Sequence, residues 1–134
     1  MSVAVRRPKA NAYLTTKHQT AAPHHRVVLV YDGIIRSINL ADLAFARTDI
    51  DRLAEIDRHL QLASQLIAEL RAALDHSANE TLATTLDDLY TFWARQLSDA
   101  NVAKQPEKMR QILPQIMDLR DAWYQAGLQL ELQA

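Results

Sequence analysis

A chain of 134 residues is enough for one domain with a sizeable core, and at 49% hydrophobic and 23% charged it is not a wholly disordered chain. With two glycines and four prolines it lacks the turn residues of an all-β fold; a formal charge of −1 leaves no nucleic-acid footprint, and zero cysteines exclude disulfides, thiolate catalysis and cysteine-zinc sites. No apolar run approaches the roughly 18 residues of a membrane span, and the N-terminus lacks the apolar centre of a secretion signal, so the expected location is the cytoplasm.

Residues 1–20 show no hydrophobic period and read as a mobile arm with two apolar handles, Tyr13 and Leu14. The remainder, 21–132, reads as a single helical domain. Its first helix starts at Pro23, whose fixed φ suits a first helical position. Val27, Tyr31, Ile34, Ile38, Ala41 and Phe45 then form one apolar stripe. Asp32-Gly33 is normally a turn dipeptide. The stripe passes it without losing phase, so the helix is expected to continue through Gly33.

Thr48-Asp49 reads as a break and cap, with Asp51 adding negative charge to the next first turn. The second stripe is Leu53, Ile56, Leu60, Ala63, Ile67, Leu70 and Leu74. Residues 75–79 form the next connection, with Asn79 as the cap of a third helix. Its stripe is Leu82, Leu86, Leu89, Trp93, Leu97 and Ala100. Pro106 opens a fourth helix with the stripe Met109, Ile112, Ile116, Leu119, Trp123, Ala126 and Leu130, and the tail beyond Leu130 is expected to fray. Pro114 lies inside this pattern and has no N–H for the carbonyl four residues back, which predicts a kink. Four helices with short connections predict an all-α, antiparallel up-down-up-down four-helix bundle.

The residues for catalysis are not assembled. None of the five glutamates is followed at +3 by histidine, so the di-iron bundle motif is absent. His24-His25 is a pair of neighbours that a helix points apart. There is no Gly-rich phosphate loop and no nucleophile elbow. Asp87-Asp88 and Asp118 with Asp121 read as solvated faces, and Arg6, Arg7 and Lys9 as a solubilising cluster. No catalytic residue, metal ligand or cofactor is expected, and neither a nucleic acid nor a membrane as partner.

Apolar surface is in surplus instead. With Val27 and Tyr31 on the seam of the first helix, Val28, Leu29, Val30, Ile35, Leu40 and Leu43 fall off it. Leu62 and Leu66 do the same on the second. One explanation is that the first helix is central in a compact bundle. The other is an open groove for an amphipathic partner, which Tyr13 and Leu14 would fill when the partner is absent. Gly33, half a turn from the seam, would then be a notch where a second segment approaches the backbone.

Several short pieces together resemble a known family. Ala22-Pro23, Leu29 and Tyr31-Asp32-Gly33, with eight residues from proline to tyrosine, are similar to the opening signature of the FliS-type flagellin export chaperones. "LASQLIAELRAALD" at 62–75 resembles that family's second helix; Leu89-Tyr90 and Ala100-Asn101 resemble its third, and "LRDAW" at 119–123 its closing motif. The sequence departs from the family pattern at Ala22, Arg26 and Phe92, and carries a single arm tyrosine. The resemblance implies a non-enzymatic cytosolic chaperone that holds the disordered C-terminal segment of flagellin in hydrophobic grooves. That prevents premature polymerisation and assists flagellar type III export. Other flagellar export or regulatory proteins are further candidate partners. The candidate contacts are Val28, Leu29, Gly33, Ile35, Leu62, Leu66, Tyr90, Trp93, Leu97 and Trp123, with Tyr13 as plug; Trp93 and Trp123 also lie on core stripes. The alternative expectation is a generic helical-bundle interaction protein working as a homodimer, against a monomer or weak homodimer for the chaperone.

Overall fold

A computed structural model of the chain describes residues 23–133. The expected arm, with Tyr13 and Leu14, lies outside the described residues. Four helices follow one another: α1 (Pro23–Phe45), α2 (Arg52–Ala72), α3 (Glu80–Ala103) and α4 (Glu107–Gln133). No strand occurs among the described residues.

Asp32-Gly33 is helix interior, as the stripe phase requires; no described glycine has a positive φ. Before α2, the Asp49 carboxylate accepts from the Asp51 N–H at 3.2 Å, while Asp51 itself makes no side-chain capping bond. Asn79 caps α3 by accepting from the Leu82 N–H at 3.0 Å. The α3–α4 turn is closed by Lys104 in the left-handed region (φ 53°), and the Pro106 carbonyl accepts the first bond of α4 from Arg110.

Each helix packs on the next and α4 closes back on α1, while the diagonal backbones stay apart. Polar pairs give the register. Arg110 meets Asp42 and Arg120 meets Asp32, both at 2.8 Å, so an advance along α4 matches an equal retreat along α1. On the neighbouring face Arg71 bonds Asp87 at 2.7 Å and Asn101 bonds Asp57 at 2.8 Å, which sets α2 antiparallel to α3. Lys108 with Asp99, and Trp93 with Gln115, do the same for α3 and α4. The architecture is therefore the expected all-α antiparallel bundle.

The core is built from Ile34, Ile38, Ile56, Leu60, Ile67, Leu97, Met109, Ile112 and Ile116 around buried Tyr31, Tyr90 and Trp93. Three expectations need correction. Leu53, in the first turn of α2, is 51% exposed and outside its stripe. On α3 the buried face is Ala83, Leu86, Tyr90, Trp93, Leu97 and Ala100, so Leu82 and Leu89 sit one position off it. On α4 Ala126 and Leu130 are exposed and Gly127 is buried; the helix runs on to Gln133, past Leu130 where fraying was expected. Most of the surplus on α1 is core: Val28 and Val30 are buried, Leu29, Ile35 and Leu40 half-buried, and only Leu43 lies open.

Candidate functional site

Tyr31 and Tyr90 reach across the bundle diagonal, where the backbones of α1 and α3 do not meet. Their hydroxyls are 2.8 Å apart. Trp93 stands edge-on to Tyr31, with ring centroids 6.2 Å apart and planes at 88°, a favourable aromatic geometry. Its indole N–H donates to Gln115 at 3.0 Å. Burial is the main reason that both phenols are raised above the usual tyrosine pKa, and the pair stays neutral. The indole of Trp123, on α4, lies beside both hydroxyls and pulls weakly against that rise. Its N–H is nonetheless buried without a properly formed hydrogen bond. A turn earlier, Arg120 donates to Asp32 and lies 5.1 Å from the centroid of the Tyr124 ring. Tyr31-Asp32, Tyr90 and the residues of "LRDAW", separate in the chain, are thus brought to one level of the bundle.

This aromatic centre is one wall of a cleft of about 280 Å³. Val27 of α1, Leu70, Ala73 and Leu74 at the end of α2, Leu82, Ala83, Leu86 and Tyr90 of α3, and Trp123 of α4 line it. Its volume is just below the range of ligand pockets, roughly 300–1,000 Å³. Asp75, Ala78 and Asn79 form the rim, where one oxygen each of the Asp75 and Asn79 side chains and the Ala78 N–H are engaged. The Asp75 carboxylate accepts from the Ser77 N–H at 3.0 Å, the Ser77 hydroxyl at 2.5 Å and the Ala78 N–H at 3.3 Å, which holds its pKa below the usual carboxylate value. The Asn79 side chain is spent on its cap. An occupant of this cleft is therefore held mainly by burial of apolar surface, about 1.5–3 kcal/mol for each large aliphatic side chain. A second cleft of about 370 Å³, lined by Pro23, Arg26, Val27, Val30, Glu69, Leu70 and Ala73, shares Val27, Leu70 and Ala73 with the first. Both lie at the end of the bundle where α1 begins at Pro23.

Of the candidate contacts, Tyr90 and Trp123 line the first cleft. Val28, Leu66, Tyr90, Trp93 and Leu97 are buried, and in this closed bundle they present almost no surface. Leu29, Gly33, Ile35 and Leu62 are half-buried and line neither cleft, and Tyr13 is outside the described residues. The sequence reading did not single out Val27, Leu70, Leu74, Leu82 and Leu86 as walls, because it counted all five as core stripe. The available signal was the end of the bundle: stripe residues in a terminal turn have no next layer to cover them.

Among the described residues no group of three or more His, Asp or Glu side chains could hold a metal ion. No described helix is long and apolar enough to cross a membrane. The sequence model of the family described as "Flagellar protein FliS" matches residues 6–130. The chain is 30% identical over 115 residues to the flagellar secretion chaperone FliS of Bacillus subtilis (strain 168), covering 86% of this chain and 83% of the relative. It is 28% identical over 105 residues to the protein of that name from Vibrio cholerae, covering 78% and 75%. To that of Salmonella typhimurium (strain LT2) it is 26% identical over 107 residues, covering 79% and 77%.

Proposed function

The chain belongs to the FliS family of flagellar secretion chaperones, and from that premise we propose that its client is the C-terminal segment of flagellin, held in the cytoplasm until export. A chaperone family is not an enzyme class, and no cofactor, nucleic acid or membrane enters this reading. The observation that carries it is the apolar cleft lined by all four helices, with one oxygen each of the Asp75 and Asn79 side chains at its rim already engaged. Such a surface suits an amphipathic segment that folds as it binds, burying its apolar stripe against Leu82, Leu86 and Trp123. Ordering the segment costs about 2–5 kcal/mol of the gross contact energy. Tyr13 and Leu14 are the candidate plug of the cleft when the client is absent, and Gly33 a candidate notch.

Calorimetry of the full chain with a peptide of the cognate flagellin C-terminal segment tests the proposal. One-to-one binding is expected. Leu82→Asp, at a half-exposed wall position, is expected to keep the fold and weaken binding about tenfold or more. Gly33→Leu that folds but no longer binds places the client at Gly33; loss of the fold assigns that glycine to internal packing. Absence of binding to both the peptide and whole flagellin overturns the proposal. The second reading, a homodimeric interaction protein, draws on Ile50 and Val102 at the other end of the bundle, 97% and 84% exposed. A stable dimer in sedimentation that ignores flagellin supports that reading, whereas a monomer that binds it does not.

A further inference from the structure

α4 is two different halves, with a proline near their junction. On the proximal side Met109, Ile112 and Ile116 are fully buried, and Lys108 and Gln115 tie the helix to α3. On the distal side Leu119, Trp123 and Leu128 are only half-buried, Gly127 alone is buried among 117–130, and the tie to α3 is the Trp123 indole beside the Tyr90 hydroxyl. Pro114 lies in the last turn of the proximal part, just before Gln115 and Ile116. It has no N–H to offer the Arg110 carbonyl, so the ladder of α4 lacks a rung within one turn of the point where its burial changes.

Among the described residues, three contacts of the distal half bear on α1. Arg120 bonds Asp32 at 2.8 Å. The His24 ring lies against Gly127 so closely that a β-carbon there would fall 2.1 Å from its Cδ2. Trp123 covers the tyrosine pair and walls the cleft, its buried N–H beside both hydroxyls but in no properly formed hydrogen bond. A buried donor with so poor a bond disfavours the closed arrangement, because an outward swing gives that group to water.

We propose that residues 117–133 form a strap that swings about the turn beginning at Pro114, clasped shut by Arg120 on Asp32, and that its position sets the width of the cleft beside Val27, Leu86 and Tyr90. Opening withdraws the Trp123 wall and uncovers Tyr31 and Tyr90. Admission of a client by this movement rests on the function proposed above, whereas the movement itself does not.

Amide hydrogen exchange on the full free chain tests the movement. Amides at 118–128 are expected to exchange at least tenfold faster than those at 109–116, through an opening separate from global unfolding. Arg120→Gln removes the clasp and accelerates the distal amides a further two- to fivefold, the range for one partly exposed ion pair. Pro114→Ala restores the rung and slows them, with the proximal amides unchanged in both variants. Equal exchange in the two halves, or equal shifts in both, overturns the strap. For its use, His24→Cys is combined with Gly127→Cys in a chain that has no other cysteine. A β-carbon at 127 would lie 2.9 Å from His24 Cγ, which brings the two β-carbons within disulfide reach. The oxidised protein is expected to bind the flagellin peptide at least tenfold more weakly than the same protein reduced. Equal binding in both forms refutes the gating role. If the peptide binds neither the reduced variant nor the unaltered chain, the flagellin reading fails, and the exchange pattern alone decides the strap.

Discussion

Tyr31 and Tyr90 share one hydrogen bond across the diagonal of the bundle, and both are fully sheltered from solvent. Removing one hydroxyl leaves the other buried without its partner, which costs more than the bond contributes. Tyr31→Phe is therefore expected to destabilise by about 1–3 kcal/mol in urea unfolding, and Tyr90→Phe similarly. The double variant should regain most of that loss, because two apolar rings leave no polar group stranded. Additive losses would show that the hydroxyls do not act as a pair. At this scale the sequence was only half legible. Tyr31 lay on its stripe, but an apolar count ranks Leu89 above Tyr90 and so put the α3 face one residue off. A tyrosine long enough to cross the bundle wins the central position when its hydroxyl finds a partner on the opposite helix. No local pattern contains that partner. The clasp of Arg120 on Asp32 was hidden for the same reason.

The helices themselves were legible, because each hydrophobic stripe keeps its period over several turns and the breaks carry turn chemistry. The phase at Gly33 decided between turn and helix, and the Asn79 cap followed from residue type alone. Stripe ends were not legible: Leu53, Leu82 and Leu130 keep the period but lie in terminal turns without a covering layer. The α3–α4 connection holds one further cost. Lys104 adopts φ 53°, ψ 47° so that its N–H and that of Gln105 can both reach the Ala100 carbonyl. A side chain in this region costs roughly 1–2 kcal/mol, and glycine avoids it while giving back part in unfolded-chain entropy. Lys104→Gly is expected to stabilise by about 0.5–1 kcal/mol and to raise the thermal midpoint by a few degrees. A lower midpoint would mean that the bond from Lys104 Nζ to the Asn101 side chain outweighs the strain.

For the whole molecule, acid should weaken the bundle in two stages with separate causes. His59 is 9% exposed on α2, with Glu55 at 3.4 Å and Arg58 at 3.5 Å. Burial lowers its pKa, the Arg58 charge lowers it further, and Glu55 opposes both. The folded state thus binds a proton here less readily than the unfolded chain. Its contribution is fully present above the ordinary histidine pKa of about 6.5, and is lost as pH falls through the lower folded value. The carboxylates of Asp49, Glu55, Asp75 and Asp87 are also held below their usual values, Asp87 chiefly by its bond to Arg71. Their contribution persists above about pH 4 and disappears only below it. Asp49 and Asp75 are exposed and Glu55 and Asp87 only half-buried, so each adds little, but the Asp87–Arg71 pair joins α2 to α3 beside the cleft. Urea midpoints should therefore fall between about pH 7 and 5.5, hold, and fall again below about 4. His59→Gln should abolish the first fall and leave the second. A variant that still loses stability between about pH 7 and 5.5 would move the first stage to another group. His24, His25 and His76 would be substituted next, because they are the other histidines in the described helices and turns.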